Sequence, residues 1–145
     1  MLSQLLTGAL ASFINFGIHA VITALIVVAT RHIKAATDDL HVFARVAALM
    51  LATLIILMIT HVVEIAVWSG VLVVNGITIK NAGAFEFAFE NYVALGYGDV
   101  VAGDGWRLIG PIMALNGLLL IGWSVAIIFE VLRMAELQVG RHGRA

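Results

Sequence analysis

The chain has 145 residues, of which 62% are hydrophobic and only 12% are charged. Soluble domains carry about 25% charged residues, so the composition excludes an ordinary soluble domain and predicts an integral membrane protein. The net charge of -1 gives no basis for a nucleic-acid partner, and the absence of cysteine excludes disulfide and thiolate chemistry. The sequence contains no phosphate-binding glycine loop or nucleophile motif. We therefore expect a membrane protein that is not an enzyme.

The first predicted element is a membrane-spanning helix over residues 2–30, which include no Asp, Glu, Lys or Arg. A span needs roughly 20 apolar residues. A cleaved signal peptide would have a basic start and a shorter apolar core, so we expect a retained helix. His19 lies inside this helix, and we expect its ring to hydrogen-bond to a neighbouring helix.

A polar connector over residues 31–45 leads into the second predicted helix, which runs from about residue 40 to residue 75. The Asn75-Gly76 pair is a turn signal that ends this helix. Because the helix is longer than the hydrocarbon layer is thick, we expect it to tilt or to protrude. A small polar turret follows it.

A short segment rich in apolar and aromatic residues, 84–94, then precedes the sequence Gly96-Tyr97-Gly98-Asp99. Roughly 11 residues are too few to cross a bilayer, and they suit a re-entrant half-helix whose negative C-terminal dipole favours a cation. Non-helical backbone at membrane depth is tolerated only where protein buries it or where it lines a water-filled path. Glycines let successive carbonyls point the same way, and a ring of carbonyls can replace the hydration shell of an ion.

The last predicted helix covers about residues 106–136, with Pro111 in its first turns, where proline costs least. Positive charges then set the orientation, because cytoplasmic loops carry an excess of Lys and Arg. The connector and the C-terminal end share one side and hold six cations: Arg31, Lys34, Arg45, Arg133, Arg141 and Arg144. The other side holds two, Lys80 and Arg107. We expect a multi-pass protein of the plasma (inner) membrane with its N-terminus outside and its C-terminus in the cytoplasm.

Residues 94–99 read Ala-Leu-Gly-Tyr-Gly-Asp. In its place after a short amphipathic segment and between two spans, this stretch resembles the pore helix and selectivity filter of the potassium channel superfamily, whose usual filter reads Thr-Val-Gly-Tyr-Gly-Asp. The resemblance covers about residues 45–135. It implies an all-α integral membrane protein with three transmembrane helices, one re-entrant pore helix and a filter loop. Because each chain has one pore loop, it also implies a homotetramer in the lipid bilayer that passes monovalent cations and needs no cofactor.

By this resemblance, K⁺ binds at the backbone carbonyls of Ala94, Leu95, Gly96, Tyr97 and Gly98. Ala94 stands where the family has a threonine, whose hydroxyl completes the innermost ion site. Leu95 replaces a valine, which is stiffer at χ1. The number and field strength of the carbonyls contribute to selectivity, so both departures imply that Na⁺ is rejected less strictly than is usual.

Two carboxyl groups are expected to support the filter. In some family members a carboxyl at the position of Glu90 lies behind the filter and pairs with the filter aspartate, here Asp99. Two carboxyls this close cannot comfortably both ionise, so the pair would share a proton and hold the shape of the filter. The alternative for Glu90 is an ordinary buried hydrogen bond.

In the last helix, Asn116, Gly117 and Gly122 are the candidates for a cavity and a hinge. Inner helices of the family often bend at a glycine near this depth, which resembles Gly117 or Gly122. Close helix packing is the alternative, because small residues are common at membrane helix contacts. Asn116 is expected to face the central cavity, where water satisfies its amide.

His61 and Glu64 form an intramembrane polar pair, because residues three apart lie on one helix face. Ionisable groups at mid-membrane usually face protein, each other or water. Three interpretations stay open: a structural hydrogen-bonded pair, a pH-responsive element, or part of a metal site, for which two ligands per chain are too few.

We divide the chain into three parts. Residues 1–36 form a peripheral N-terminal transmembrane helix with its cytoplasmic connector, residues 37–137 form the pore module, and residues 138–145 form a short cytoplasmic tail. No soluble regulatory domain is evident. Two other functions stay open: a proton- or metal-coupled transporter that uses His61, Glu64 and His19, and a non-conducting subunit of another channel.

Overall fold

A computed structural model describes residues 1–33, 42–77, 79, 83–96 and 100–142. Four helices follow one another: α1 (Leu2–Ile33), α2 (Val42–Val74), α3 (Ala84–Tyr92) and α4 (Ile109–His142). Helices α1, α2 and α4 are long and apolar enough to cross a membrane, whereas α3 has nine residues. The predicted all-α fold with three spans and one short helix between the last two is confirmed.

The end of α2 lies at the predicted turn. The Ile77 N–H donates to the Leu72 carbonyl at 2.9 Å, and the Gly76 N–H donates to the Val73 carbonyl at 3.1 Å. Gly76 has φ 61°. This pair of bonds around one left-handed residue is the Schellman motif, which satisfies the last carbonyls of a helix and favours glycine at its left-handed position. The Asn75-Gly76 signal therefore marks the physical end of the helix.

Helix α4 begins at Ile109, three residues after the predicted start. Residues 103–108 form turns instead, and the Trp106 N–H donates to the Gly103 carbonyl at 3.1 Å. Gly105 has φ 90°, which glycine adopts without strain. Pro111 is the third residue of α4, where the missing N–H has no partner inside the helix.

Helix α3 lies between α2 and α4, and α1 packs against both long helices. The core around α3 is formed by large buried side chains of α2, α3 and α4, among them Trp68, Leu72, Phe87, Tyr92, Met113 and Leu120. A second, smaller core joins the remaining halves of the long helices through Ile26, Leu57, Ile127 and Val131. The short helix therefore occupies one half of the bundle, as a re-entrant segment does.

The first turns of α1 and α4 lie at the same end of the bundle. The Gln4 Oε1 atom accepts a hydrogen bond from the Leu108 N–H at 2.9 Å, one residue before α4 begins. The segments before α3 and after the filter also meet there, in an isolated antiparallel bridge between Ile79 and Ala102. The re-entrant segment thus enters from the side on which the N-terminus lies.

Candidate functional site

The pore helix α3 ends in the same Schellman motif as α2, immediately before the filter sequence. The Ala94 N–H donates to the Asn91 carbonyl and the Leu95 N–H donates to the Glu90 carbonyl, both at 2.9 Å. Ala94 occupies the left-handed position, with φ 55°. These bonds satisfy two of the last carbonyls of α3 and turn the chain sharply into the filter loop.

The left-handed backbone at residue 94 restricts which side chains fit at this position. Alanine in this conformation costs about 1 kcal/mol relative to glycine. A β-branched residue at positive φ is a genuine outlier. Ala94 is therefore compatible with this backbone, whereas a threonine would be strained in it.

In the described part of the predicted filter, the sign of φ alternates from residue to residue. Ala94 and Gly96 have φ values of 55° and 58°, and Leu95 between them has a negative φ. Positive φ at every second residue lets successive carbonyls point to the same side of the chain, as in a filter of backbone carbonyls. Such a chain is suited to binding a cation through its carbonyl oxygens.

Three of the predicted filter residues, Tyr97, Gly98 and Asp99, lie outside the described residues. The ion sites at the Tyr97 and Gly98 carbonyls therefore stay predictions, and so does the pairing of Glu90 with Asp99. The Glu90 side chain is partly buried in the last turn of α3. Its backbone carbonyl accepts the hydrogen bond from the Leu95 N–H that closes the end of α3.

Gly117 is the point of closest approach between the inner helix α4 and the end of α3. A Cβ atom at Gly117 would overlap the Tyr92 carbonyl oxygen and would lie 2.8 Å from the Tyr92 carbonyl carbon. Both are backbone atoms, which cannot swing aside as a side chain can. The close contact gives Gly117 a packing role, and its use as a hinge stays a prediction.

The expected position of Asn116 in a central cavity is wrong for the single chain. Its side chain is 2% exposed, and its Oδ1 atom accepts hydrogen bonds from Trp68 Nε1 at 3.0 Å and from Asn15 Nδ2 at 3.2 Å. The amide points into the bundle because α1 and α2 provide donors there. The sequence pattern of α4 does not reveal these donors, since they lie on other helices.

A different face of α4 is exposed in the single chain. It consists of exposed residues at helical spacing, which we call the α4 stripe: Leu115, Leu118, Gly122, Val125 and Phe129. No atom outside the helix backbone lies within 4 Å of a Cβ built at Gly122. This apolar surface is available for lipid, for other subunits or for a cavity between subunits.

The largest group of interacting polar side chains lies within the membrane spans, where all four helices meet. Glu64 on α2 is fully buried, and its Oε1 atom lies 2.9 Å from His19 Nδ1 on α1. Its Oε2 atom lies 3.0 Å from His61 Nδ1 and accepts a hydrogen bond from the Tyr92 hydroxyl at the end of α3. The carboxylate therefore meets three hydrogen-bonding partners on three helices.

Both imidazole rings also approach one hydroxyl on α4. The Nε2 atom of His61 lies 2.9 Å from Ser124 Oγ, and the Nε2 atom of His19 lies 3.4 Å from the same oxygen. The His19 side chain is 1% exposed and the His61 side chain is 16% exposed. The centroids of the two rings are 5.5 Å apart. We call His19, His61, Glu64, Tyr92 and Ser124 the buried polar cluster.

The cluster agrees with one of the interpretations of His61 and Glu64, since the pair is hydrogen-bonded to neighbouring helices. The expected bond from His19 to a neighbouring helix is confirmed as well. Tyr92 and Ser124 were not predicted as members. Their only signal in the sequence is a polar side chain among apolar neighbours. That signal does not show which faces of the helices pack together. Helix α1 is therefore more than a peripheral cover, because it supplies His19 and Asn15 to the bundle interior.

Near the other end of α4, Arg133 forms an ion pair with Glu130, as their spacing of three residues predicts. The Nη2–Oε1 distance is 2.9 Å and the Nε–Oε2 distance is 3.0 Å. The pair is exposed, and exposed pairs contribute little to stability. The ion pair lies beside the second core, in the half of the bundle that does not contain α3.

Comparison with known protein families places these elements in context. A family model described as "Ion channel" matches residues 58–134, slightly more than half of the chain. The match begins in the second half of α2, includes all of α3 and the filter, and ends near the end of α4. Searches of curated proteins and of solved structures give no match. The chain belongs to this ion channel family, whose members carry a two-helix pore of the potassium-channel type.

Proposed function

We propose that this ion channel is a homotetramer that conducts K⁺ down its gradient through the filter of residues 94–98. The observation that carries the proposal is the end of α3. There α3 ends at Tyr92, the chain turns at Ala94, and the sign of φ alternates through Leu95 and Gly96. A pore helix directed at such a backbone combines a negative helix dipole with carbonyl ligands, and both favour a dehydrated cation.

Conduction follows from this arrangement in three steps. A hydrated ion loses water and gains the carbonyls of Leu95, Gly96 and Tyr97. Several ions occupy the filter together, and the entry of one promotes the exit of another. Ala94 offers a backbone carbonyl but no side-chain hydroxyl, so the innermost site is weaker and Na⁺ is rejected less strictly. Chemical catalysis and a resident cofactor have no part in this mechanism.

Four chains close the pore, because each chain contributes one re-entrant segment. In this assembly the α4 stripe faces the central cavity and the neighbouring subunits, and Gly122 is the hinge candidate on that face. A small residue on an exposed stripe permits bending without the loss of contacts. Asn116 then stabilises the subunit rather than polarising the cavity.

The orientation rests on the distribution of positive charges. The connector and the C-terminal end hold six of the eight Lys and Arg residues, so we place both in the cytoplasm and the N-terminus outside. The filter's outer mouth then faces out, and the protein is a multi-pass protein of the plasma membrane.

Ion flux into liposomes tests this function. Purified protein should give fast K⁺ uptake, with slower uptake of Na⁺ under the matched gradient. Gly96→Ala should sharply reduce uptake, because alanine at φ 58° costs about 1 kcal/mol in each chain and all four chains of the ring would carry it. Gly17→Ala is the matched control, since a Cβ at this position in α1 meets no atom within 4 Å.

The other outcomes of this assay separate the competing functions. Equal K⁺ and Na⁺ uptake would retain the pore and remove its selectivity. Slow, saturable uptake that depends on a proton or metal gradient would favour a transporter that uses His19, His61 and Glu64. Absence of uptake in all gradients, with folded protein, would favour a non-conducting subunit.

A further inference from the structure

The buried polar cluster supplies no ligand to an ion in the filter, and its own composition, two histidines and a carboxylate, is that of a ligand site. We propose that His19, His61 and Glu64 bind one divalent transition-metal ion of the zinc class within each chain. The three ligand atoms all lie within 4.8 Å of one another. Because the ligands come from α1 and α2, the site is complete in a single chain and does not depend on conduction.

The geometry of the ligands is close to that of a bound ion. Both rings direct Nδ1 at the carboxylate, at 2.9 Å for His19 and 3.0 Å for His61, and each ring approaches a different carboxylate oxygen. Zinc binds imidazole nitrogen and carboxylate oxygen at about 2.0–2.2 Å in a tetrahedral arrangement, which separates ligand atoms by roughly 3.3 Å. The two nitrogen–oxygen distances differ from this value by a few tenths of an ångström, and the remaining separation, which lies within 4.8 Å, would shorten as the ligands close around an ion.

Hydrogen-bond counting also favours an ion at the Nδ1 atoms. Without a metal, a neutral ring whose Nδ1–H donates to Glu64 has an Nε2 atom that can only accept. The other tautomer of His61 instead leaves its Nδ1 atom without a donor, because the Tyr92 hydroxyl gives its one proton to Glu64. Ser124 Oγ is the hydroxyl that both Nε2 atoms approach, and it has one proton to give. One buried nitrogen lone pair would be left unpaired. With a metal at the Nδ1 atoms, both Nε2–H groups donate to Ser124 Oγ, which can accept two bonds.

A metal at Nδ1 with the Nε2–H group donating to an oxygen is the usual environment of a metal-bound histidine. A ligating imidazole almost always donates its other N–H to an oxygen, which fixes the orientation of the ring. Ser124 serves both rings in this way, and α4 thereby becomes the supporting element of the site. Two histidines with one glutamate form a known zinc ligand set that leaves a fourth position open.

The Tyr92 hydroxyl is the group nearest to that fourth position. It lies 2.8 Å from His61 Nδ1 and is hydrogen-bonded to Glu64 Oε2. A tyrosine that ligates the ion passes its proton to the water that the incoming ion sheds, so that Glu64 and Tyr92 together balance the two charges of the metal. This balance is needed because an uncompensated charge within a membrane span is costly. His61 is the least buried of the three ligands, so the ion enters the cluster from the side on which His61 lies.

Cobalt binding by the purified protein tests the site without any measurement of flux. The full chain, freed of its affinity tag and stripped of metal with a chelator, is titrated with Co²⁺ in detergent. We expect one Co²⁺ per chain, an intense visible absorption from tetrahedral Co²⁺, its loss when Zn²⁺ is added, and a rise in the thermal midpoint with bound metal. His19→Ala and Glu64→Gln should each lower the affinity at least tenfold. His142→Ala, a histidine at the end of α4, should bind as the parent does.

Two results would overturn the proposal. Folded parent protein that binds no stoichiometric metal would show that hydrogen bonds, or one additional proton on the rings, complete the cluster. Binding that persists unchanged in Glu64→Gln would place the metal elsewhere, and this variant keeps the shape of the side chain if His19→Ala fails to fold. Because the readout is a bound metal, a failure of the proposed K⁺ conduction would leave the result unaffected.

Discussion

Gly117 and Gly122 lie five residues apart on α4, yet their surroundings differ completely. A Cβ at Gly117 would overlap the backbone of Tyr92, whereas a Cβ at Gly122 meets no atom within 4 Å. We predict that Gly117→Ala lowers the thermal midpoint in detergent markedly, because α4 must move away from α3. Gly122→Ala should be neutral or stabilising by up to about 1 kcal/mol, since alanine is the better helix former. Equal midpoints for the two variants would contradict the packing role of Gly117.

Ala94 provides a second test at the scale of one residue. We predict that Ala94→Gly stabilises the end of α3 by about 1 kcal/mol, because glycine adopts φ 55° without strain. Ala94→Thr, which restores the family's filter residue, should destabilise the protein unless the backbone rearranges. Thermal unfolding of the three proteins checks this order. A threonine variant as stable as the glycine variant would show that residue 94 leaves the left-handed region in the assembled channel.

Among the helices, those with a distinctive length or composition could be predicted from the sequence. Residues 2–30 have no charged side chain, and residues 84–94 are too few to cross a bilayer, so these two assignments follow from the dimensions of the membrane. The start of α4 was predicted three residues too early, because Trp106 and Leu108 extend the apolar pattern of the helix towards the N-terminus. Turns at Gly103 and Gly105 delay that start to Ile109.

The buried polar cluster could be predicted only in part. His61 and Glu64 share a helix face by their spacing, which the sequence reveals directly. The approach of His19 to Glu64 joins residues 45 positions apart, and it depends on how α1 rotates and tilts against α2. Asn116 was misplaced for the same reason, since its donors Asn15 and Trp68 lie on other helices. Contacts between helices follow from packing, which hydropathy does not specify.

The end of α3 is held from the side by the Tyr92 hydroxyl, which donates to Glu64. We predict that Tyr92→Phe costs about 2 kcal/mol, the range for a hydrogen bond to a charged group, and that it loosens the filter two residues further on. The thermal midpoint and the ratio of K⁺ to Na⁺ uptake measure the two effects. Phe89→Tyr, at a half-exposed position one turn earlier, is the control: it also exchanges phenylalanine and tyrosine in α3, but away from Glu64. An unchanged Tyr92→Phe protein would contradict this role of the cluster.

At the scale of the whole molecule, one chain contributes one re-entrant segment, so conduction requires assembly. The α4 stripe is apolar and exposed in the single chain, and subunit packing needs such a surface. We predict that native mass spectrometry of the detergent-solubilised protein gives four chains of 15.5 kDa each. Val125→Arg, on the stripe, should weaken the tetramer, whereas Val62→Arg, on an exposed position of α2, serves as the matched control. A monomer or dimer under mild extraction would contradict the ring.

Potassium-selective conduction is tested by the reversal potential of the current across a planar bilayer, with K⁺ on one side and Na⁺ on the other. We expect a current that Gly96→Ala sharply reduces, with a reversal potential displaced from zero in the direction that K⁺ permeation requires. The displacement should be smaller than for a strictly selective filter, because Ala94 lacks the threonine hydroxyl. A reversal potential at zero, or displaced in the direction of Na⁺, would contradict a potassium-selective carbonyl filter.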